Sequence, residues 1–197
     1  MVLPLGRLFI YNSAVMSKVL FTDFFGVIVH DSGNEWLHAH NLFEHKKEIF
    51  PLGDIGEISE DEVFNRLSKL SGVPKQEIFD HFETLAVLNE KTVELLRELK
   101  RQSFKIVVLS NCYDSVLERR IKQFHLEDIF DDVIISYKIG MIKPNKDIYE
   151  YAYNKICSKQ DEVYFMDDQE VNLQSPKELG WKVIHFTENT KISDFFS

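Results

Sequence analysis

Five short apolar segments rich in valine, isoleucine and phenylalanine recur along the chain after Lys18. Each one is almost continuously hydrophobic, which is typical of parallel strands whose two faces are both buried. We therefore predict a parallel sheet. Its predicted strands are VLFTDFFGVIV at 19–29, KIVVL at 105–109, DVIIS at 132–136, VYFMD at 163–167 and KVIHF at 182–186.

Helical segments separate the later strands, at 113–124, at 145–157 and at 169–179, where the last one ends before Gly180. A chain that alternates strand and helix in this way favours a sheet with helices on both faces. The predicted fold class is α/β, with a doubly wound, parallel, Rossmann-like sheet.

An insertion interrupts this alternation, because 75 residues separate the first two predicted strands. Its periodicity is helical: Ser59 and Glu62 form a capping box, Pro74 suits a first helical turn, and Asn89 suits the N-cap of the next helix. We predict a small inserted helical cap. The predicted boundaries are 1–30 and 89–197 for the core, with 1–15 as a possible extension, and 31–88 for the cap.

Composition narrows the functional classes. The 197 residues are 44% hydrophobic, enough for one packed core beside a small module, and carry a formal charge of −9. This charge repels nucleic-acid phosphates and anionic lipids, and no apolar run of about 18 residues predicts a membrane span. Cys112 and Cys157 have no metal-ligand spacing, as expected in a reducing compartment, so we predict a cytoplasmic protein. The sequence leaves the oligomeric state open.

Polar residues occur where the apolar strands end or are interrupted. In an open parallel sheet, ligands bind at the carboxyl ends of the strands, near the point where the strand order reverses. Each residue type alone is common in caps and turns, but their combination at successive strand ends indicates one site. The residues are Asp23, Ser110 with Asn111, Lys143, and Asp167 with Asp168.

The chemistry of these residues favours phosphate and a divalent cation. Ser110 and Asn111 would offer a hydroxyl and backbone amides beside a helix start, which suits an anion. The adjacent carboxylates of Asp167 and Asp168 suit an oxygen-bound cation. Asp23 is costly to bury unless a cation or hydrogen bonds compensate its charge.

These segments resemble a known family. DFFGV, VVLSN, the lysine of GMIKP and FMDDQEVN resemble motifs one to four of the haloacid dehalogenase (HAD) superfamily, and the insertion matches its helical C1-type cap. The resemblance extends from Lys18 to Phe196. GEIS at 56–59, together with the motifs, is most similar to the branch that includes bacterial α-glucose-1-phosphate phosphatases.

The resemblance implies a Mg²⁺-dependent phosphatase acting on a small phosphorylated metabolite, a sugar phosphate, through an aspartyl-phosphate. Asn172 is a candidate to orient Asp168. The resemblance further implies that Asp23 is the nucleophile. Ser110, the amide of Asn111 and Lys143 would bind the phosphate. The metal ligands would be Asp23, the carbonyl of Phe25 and Asp168, with Asp167 bound through water.

Phe25 departs from the family pattern, in which a second aspartate two residues after the nucleophile serves as acid and base. Loss of such a group costs about 10²- to 10⁴-fold in rate. Candidate replacements are His30, Asp54 and Glu57. Without a replacement, anomeric or aryl phosphates are favoured over primary alkyl esters, because their leaving oxygens carry negative charge more readily.

The sequence also allows two alternative functions. A 2-haloacid dehalogenase without metal would also carry an aromatic residue at position 25, although the pair Asp167 and Asp168 argues for a cation. A catalytically silent binding protein with the same fold is the second alternative. Retention of Asp23, Ser110 and Lys143 with the acidic pair argues against it.

Overall fold

The computed structural model describes residues 16–30, 33–187 and 189–196. The predicted extension at 1–15 lies outside these residues. The strands are β1 (Lys18–Thr22), β2 (Val29–His30), β3 (Val87–Leu88), β4 (Lys105–Ser110), β5 (Asp132–Ile135), β6 (Glu162–Asp167) and β7 (Lys182–His185). The helices are α1 (Gly33–Ala39), α2 (Lys46–Asp54), α3 (Glu60–Ser71), α4 (Lys75–Thr84), α5 (Glu90–Arg101), α6 (Val116–Gln123), α7 (Ser136–Ile139), α8 (Lys146–Ile156) and α9 (Gln174–Glu178), with short 3₁₀ helices at Phe43–His45, Glu170–Leu173 and Ile192–Phe195.

Five of these strands form a parallel sheet in the order β5-β4-β1-β6-β7. The predicted fold class is confirmed. Strand β1 lies in the centre, and the chain moves to one side of it through β4 and β5 and then to the other side through β6 and β7. The strand order therefore reverses beside β1, which makes its carboxyl end the expected ligand-binding position.

Residues at alternate positions of the strands pack on opposite faces of the sheet. On one face, Val19 and Phe21 of β1 join a cluster that includes Tyr149 of α8, and Trp181 stacks on Phe21 with ring centroids 5.0 Å apart. On the other face, Leu20 joins a cluster that continues into the helices before β4. Burial on both faces explains why the strand sequences are almost continuously apolar.

The first strand is shorter than predicted. It ends at Thr22, and the apolar residues that follow Asp23 form a buried turn, in which the backbone N–H groups of Ile28 and Val29 both donate to the carbonyl of Phe24. Gly26 has a φ of +84°, which a side chain would strain. The hydrophobicity of this segment reflects burial of a turn and not continuation of the strand.

The residues after this turn form a two-stranded antiparallel ribbon, in which β2 pairs with β3. Between these two strands lie α1 to α4, which we call the helical insertion (33–84). Its helical character agrees with the sequence pattern, and the boundaries of the core and cap domains stay a prediction. Among the described residues, no helix has the length and apolar character needed to span a membrane.

Local capping follows the sequence closely. The Ser59 hydroxyl accepts a hydrogen bond from the Glu62 N–H at the start of α3, and the Asn89 side chain accepts one from the Thr92 N–H at the start of α5. Pro74 is itself the N-cap of α4, one residue before its predicted place in the first turn. The helices predicted at 113–124 and 145–157 are α6 and α8, and the one predicted at 169–179 is a 3₁₀ turn followed by α9.

Two arginines of α6 attach the helical insertion to the core. Arg119 contacts Glu60 of α3 and Glu83 of α4. The buried Arg120 donates to Glu83 and to the Phe82 carbonyl, with both distances 2.8 Å. We call Arg119 and Arg120 with their two glutamates the ionic latch. It joins α3 and α4 of the insertion to α6 of the core.

We expect Arg120→Ala to lower the free energy of unfolding by about 3 kcal/mol, because it removes the buried half of the contact to Glu83 and leaves the Phe82 carbonyl without its arginine donor. Arg101→Ala is a matched control, because among the described residues the Arg101 side chain pairs with Glu98 of its own helix alone, and both side chains are exposed. It should cost a small fraction of that amount. Urea denaturation followed by circular dichroism measures both variants, and equal losses would contradict the latch.

Candidate active site

The residues predicted from the strand ends converge at the carboxyl edge of the sheet. Asp23 follows β1, Ser110 ends β4, Asp167 ends β6, and Lys143 lies in the loop after α7. All four side chains are buried. Asp168, the next residue after β6, is partly exposed at the same edge.

Lys143 lies at the centre of this cluster. Its Nζ is 2.8 Å from Oδ2 of Asp23 and 2.6 Å from Oδ2 of Asp167. Burial alone would lower the pKa of Lys143, but the two carboxylates raise it above its ordinary value. The lysine is therefore a fixed cation between two aspartates.

Asp23 is held from several directions. Its Oδ1 accepts hydrogen bonds from the Ser110 hydroxyl and from the Phe24 N–H, both at 2.7 Å. Burial raises the pKa of Asp23 to about 7; Lys143 opposes this rise, Asp167 adds to it, and the Ser110 hydroxyl lowers the pKa slightly. A further positive charge at the site would stabilise the ionised carboxylate.

Asp167 is fully buried and binds three groups of the site through hydrogen bonds. It accepts hydrogen bonds from Lys143, from the Gln169 N–H at 2.8 Å and from the Asn172 amide at 2.9 Å. The structure thus places Asn172 on Asp167 and not on Asp168, the partner expected from sequence. Tyr149 fixes Asn172 in turn by donating to its carbonyl at 2.8 Å.

Asn111 connects two loops through its side chain. Its amide nitrogen donates to the Lys143 carbonyl at 2.9 Å, and its amide oxygen accepts from the Lys143 N–H at 2.8 Å. This reciprocal pair fixes the lysine loop against the end of β4. Only the backbone of Asn111 is then available for the predicted contact with phosphate.

The carboxylates fit a divalent cation. Asp23, Asp167 and Asp168 each offer an oxygen, and these oxygens lie within 4.8 Å of one another. Oδ1 of Asp168 is buried and has no hydrogen-bond partner among the described residues. Burial, followed by the charge of Asp167, raises the pKa of Asp168, and Lys143 alone cannot balance three carboxylates.

The turn after β1 leaves room for the Asp168 carboxylate to lie close to the backbone of that turn. A Cβ atom placed on Gly26 would lie 2.6 Å from the carboxyl carbon of Asp168. Glycine at this position therefore allows the carboxylate to reach the backbone beside Phe25. The Phe25 side chain packs edge-on against Phe24, with ring centroids 5.2 Å apart, and provides no proton donor.

The three candidate acids occupy different positions. His30 is exposed and lies 3.1 Å from Glu35, and Glu57 is exposed beyond the end of α2. Asp54, the last residue of α2, is close enough to Lys143 to interact with its charge. Lys46, at the start of α2, interacts in the same way with Asp168. Sequence reasoning missed Lys46, because no strand end marks it.

The parallel sheet, with charged residues at the carboxyl edge beside its reversal point, defines a Rossmann-like α/β enzyme. A family model described as haloacid dehalogenase-like hydrolase matches residues 75–186, more than half of the chain. The chain belongs to this family of hydrolases.

Curated relatives differ in how much of their length the match covers. The chain is 27% identical over 188 residues to the sesquiterpene phosphatase astK of Aspergillus oryzae, a match that spans 93% of this chain and 87% of that protein. It is 28% identical over 134 residues to the bifunctional epoxide hydrolase 2 of Rattus norvegicus. That match spans 63% of this chain and only 24% of the relative.

Solved structures show the same fold. A HAD family enzyme of Bacteroides thetaiotaomicron, in complex with magnesium and inorganic phosphate, superposes with a TM-score of 0.72 at 22% identity, over 92% of this chain and 100% of that one. A predicted HAD-like hydrolase of Porphyromonas gingivalis gives a TM-score of 0.71 at 23% identity, over 92% of this chain and 98% of that one.

We expect Gly26→Ala to weaken Mg²⁺ binding by about 10- to 100-fold, because its Cβ would displace the Asp168 carboxylate. Gly72→Ala is the matched control: Gly72 also has a positive φ, but a Cβ there meets nothing within 4 Å. The backbone strain, about 1 kcal/mol, is common to both variants. Calorimetric titration with Mg²⁺ measures the difference, and equal affinities would contradict this role of Gly26.

Proposed function

We propose that this hydrolase is a Mg²⁺-dependent phosphatase that acts on a small phosphomonoester, with sugar phosphates as its substrate class. The observation that carries the proposal is the buried cluster around Lys143, in which Asp23 faces a hydroxyl donor, a cation and two further carboxylates. This arrangement suits transfer of a phosphoryl group to Asp23.

In this proposal the Asp23 carboxylate attacks phosphorus, the ester bond breaks, and water later hydrolyses the aspartyl-phosphate. Lys143 offsets the charge of the nucleophile and of the phosphoryl group together. The Ser110 hydroxyl, 2.7 Å from Asp23, and the backbone of Asn111 would bind the phosphoryl oxygens. Attack is favoured because the fold fixes these groups before substrate arrives.

Magnesium would be held by Asp23, the carbonyl of Phe25 and Asp168, and by Asp167 through water. When bound, it supplies positive charge to the phosphoryl oxygens and makes the phosphorus more electrophilic. The unpartnered Oδ1 of Asp168 and the excess of carboxylates over lysine support this assignment. Asp167 already accepts hydrogen bonds from Lys143 and Asn172, which supports an indirect role for it.

The substrate class rests on the resemblance to sugar-phosphate phosphatases and on polar groups above the site. Lys46 and Asp54 are both near the catalytic cluster, and both suit the hydroxyl groups of a sugar. Relatives named as phosphatases include astK and the glyceraldehyde 3-phosphate phosphatase of Methanocaldococcus jannaschii, 27% identical over 90 residues. Both names describe phosphatases, and the second one names a phosphorylated sugar as substrate.

A metal-free 2-haloacid dehalogenase is the alternative that Phe25 favours. Its site would have to hold three neighbouring carboxylates with one buried lysine in direct contact as counter-charge. Repulsion among them in a buried site opposes this reading, and a cation removes the difficulty.

We expect EDTA to abolish hydrolysis of p-nitrophenyl phosphate and added Mg²⁺ to restore it, because the carboxylates and the phosphate dianion repel one another without a cation. Asp23→Asn is the control: it deletes the nucleophile at nearly constant volume and should stay inactive at every Mg²⁺ concentration, by at least about 10³-fold. Release of p-nitrophenol measures both. Halide release from a 2-haloacid in EDTA would establish the dehalogenase instead.

We expect kcat/KM to be higher for sugar phosphates than for farnesyl phosphate, because an apolar chain would have to be buried against Lys46 and Asp54. Lys46→Met, which keeps the length and removes the charge, should narrow this gap by about tenfold, or 1.4 kcal/mol. Phosphate release from each substrate measures the ratio. A preference for farnesyl phosphate would contradict the proposed substrate class.

A further inference from the structure

Helix α2 carries two charged residues that interact with groups of the cluster around Lys143. Lys46, Phe50 and Asp54 are spaced by four residues, so they lie along one face of the helix. Lys46 at its start interacts with the charge of Asp168, and Asp54 at its end interacts with that of Lys143. This face of α2 therefore lies over the carboxyl edge of the sheet.

The end of α2 packs directly on the segment that follows β4. The ring of Phe50 lies 5.8 Å from that of Tyr113, measured between centroids. A Cβ placed on Gly53 would be 2.9 Å from Cβ of Tyr113, so the helix backbone touches this segment. Tyr113 is three residues beyond Ser110, the hydroxyl donor to Asp23.

The turn after α2 packs on the loop that leads to Lys143. A Cβ on Gly56 would be 2.9 Å from the Tyr137 carbonyl oxygen, and one on Gly140 would be 4.0 Å from the Ile55 carbonyl oxygen. Asp54 lies between Gly53, on the Ser110 side, and Gly56, on the Lys143 side. Its backbone is thus fixed between the loops that carry two of the phosphate-binding groups.

The Asp54 carboxyl has no hydrogen-bond partner of its own within the described ranges. The charged groups that face it are Lys46 of its own helix and Lys143 of the opposing loop, and the phenols of Tyr113 and Tyr137 belong to the segments that α2 contacts. Burial raises the pKa of Asp54 to about 7, and the two lysines oppose this rise. Both protonation states are therefore accessible near neutral pH.

We propose that Asp54 is the general acid and base of this phosphatase, in place of the aspartate that Phe25 replaces. The proposal rests on the proposed function. In the first step Asp23 attacks phosphorus, the P–O ester bond breaks, and protonated Asp54 gives its proton to the departing alcohol oxygen. In the second step the Asp54 carboxylate takes a proton from water, whose oxygen bonds to phosphorus as the P–O bond to Asp23 breaks.

The two steps balance, since phosphoester and water become alcohol and phosphate, and Asp54 ends protonated as it began. The other candidates lack this placement, because His30 is exposed beside Glu35 and Glu57 is exposed after the helix. With Asp54 as proton donor, the enzyme also acts on primary alkyl esters. The restriction to anomeric and aryl phosphates expected from Phe25 is then lifted.

The test compares Asp54→Asn with the parent on two substrates, glucose 6-phosphate and p-nitrophenyl phosphate. The kcat/KM for the alkyl ester should fall by about 10²- to 10⁴-fold, whereas that for the aryl ester should fall by less than tenfold, because a phenolate leaves without a proton. A ratio measured on one preparation is independent of the folded fraction. Asp54→Glu, which keeps a carboxyl group, should restore part of the alkyl activity.

A second readout separates the two steps. Asp54→Asn should release p-nitrophenol in a burst of one equivalent per enzyme, because Asp23 is still phosphorylated while its hydrolysis lacks a base. In the parent, kcat/KM for the alkyl ester should fall as the pH rises above about 7, where Asp54 loses its proton; in Asp54→Asn this limb should be absent. Asp80→Asn, an exposed aspartate of α4, is the matched control and should behave as the parent.

Equal effects of Asp54→Asn on the two substrates, or the absence of a burst, would overturn the role of Asp54 and leave the phosphatase proposal standing. A selective loss of alkyl activity in Glu57→Gln or His30→Gln, with Asp54→Asn unaffected, would overturn it as well. An inactive parent in the presence of Mg²⁺ would instead refute the proposed function.

Discussion

The salt bridge of Lys143 to both Asp23 and Asp167 is the interaction on which the site depends. It joins the ends of β1 and β6 to the loop after α7, and the Asn111 pair fixes that loop to the end of β4. A buried lysine between two carboxylates is stable only when its geometry is fixed from several sides. The parallel sheet meets this condition, because its strands β4, β1 and β6 are neighbours and end at the same edge.

Much of this arrangement could be predicted from the sequence, for a physical reason. Strands buried on both faces are continuously apolar, so a polar residue at their ends is conspicuous, and parallel topology brings those ends together. The same rule misjudged the end of β1, since Val27 and Ile28 are apolar through burial in a turn. Hydrophobicity reports burial and identifies a strand only when the backbone is also extended.

The sequence did not predict the contacts that helical residues make with distant parts of the chain. Asn172 bonds to Asp167 from a 3₁₀ turn that follows β6, at a position where the sequence predicts a regular helix. Lys46 lies near Asp168 only because α2 packs across the sheet edge, which no local pattern encodes. The sequence does not separate Asp54 from His30 and Glu57, whereas the packing of Gly53 on Tyr113 holds Asp54 beside the site.

If Asp54 replaces the acid that is absent at Phe25, catalysis depends on how the helical insertion is attached to the core. An acid at position 25 would belong to the same turn as the nucleophile, whereas Asp54 belongs to a helix that must be held over the sheet. The ionic latch between α6 and the glutamates of α3 and α4 provides that attachment, and it lies outside the catalytic cluster. Proton transfer through Asp54 would then depend on contacts that never touch substrate. A loosened latch would slow both steps that need this proton while Asp23, Ser110 and Lys143 stay in place, because those three residues are held by the strand ends, by one another and by the Asn111 pair.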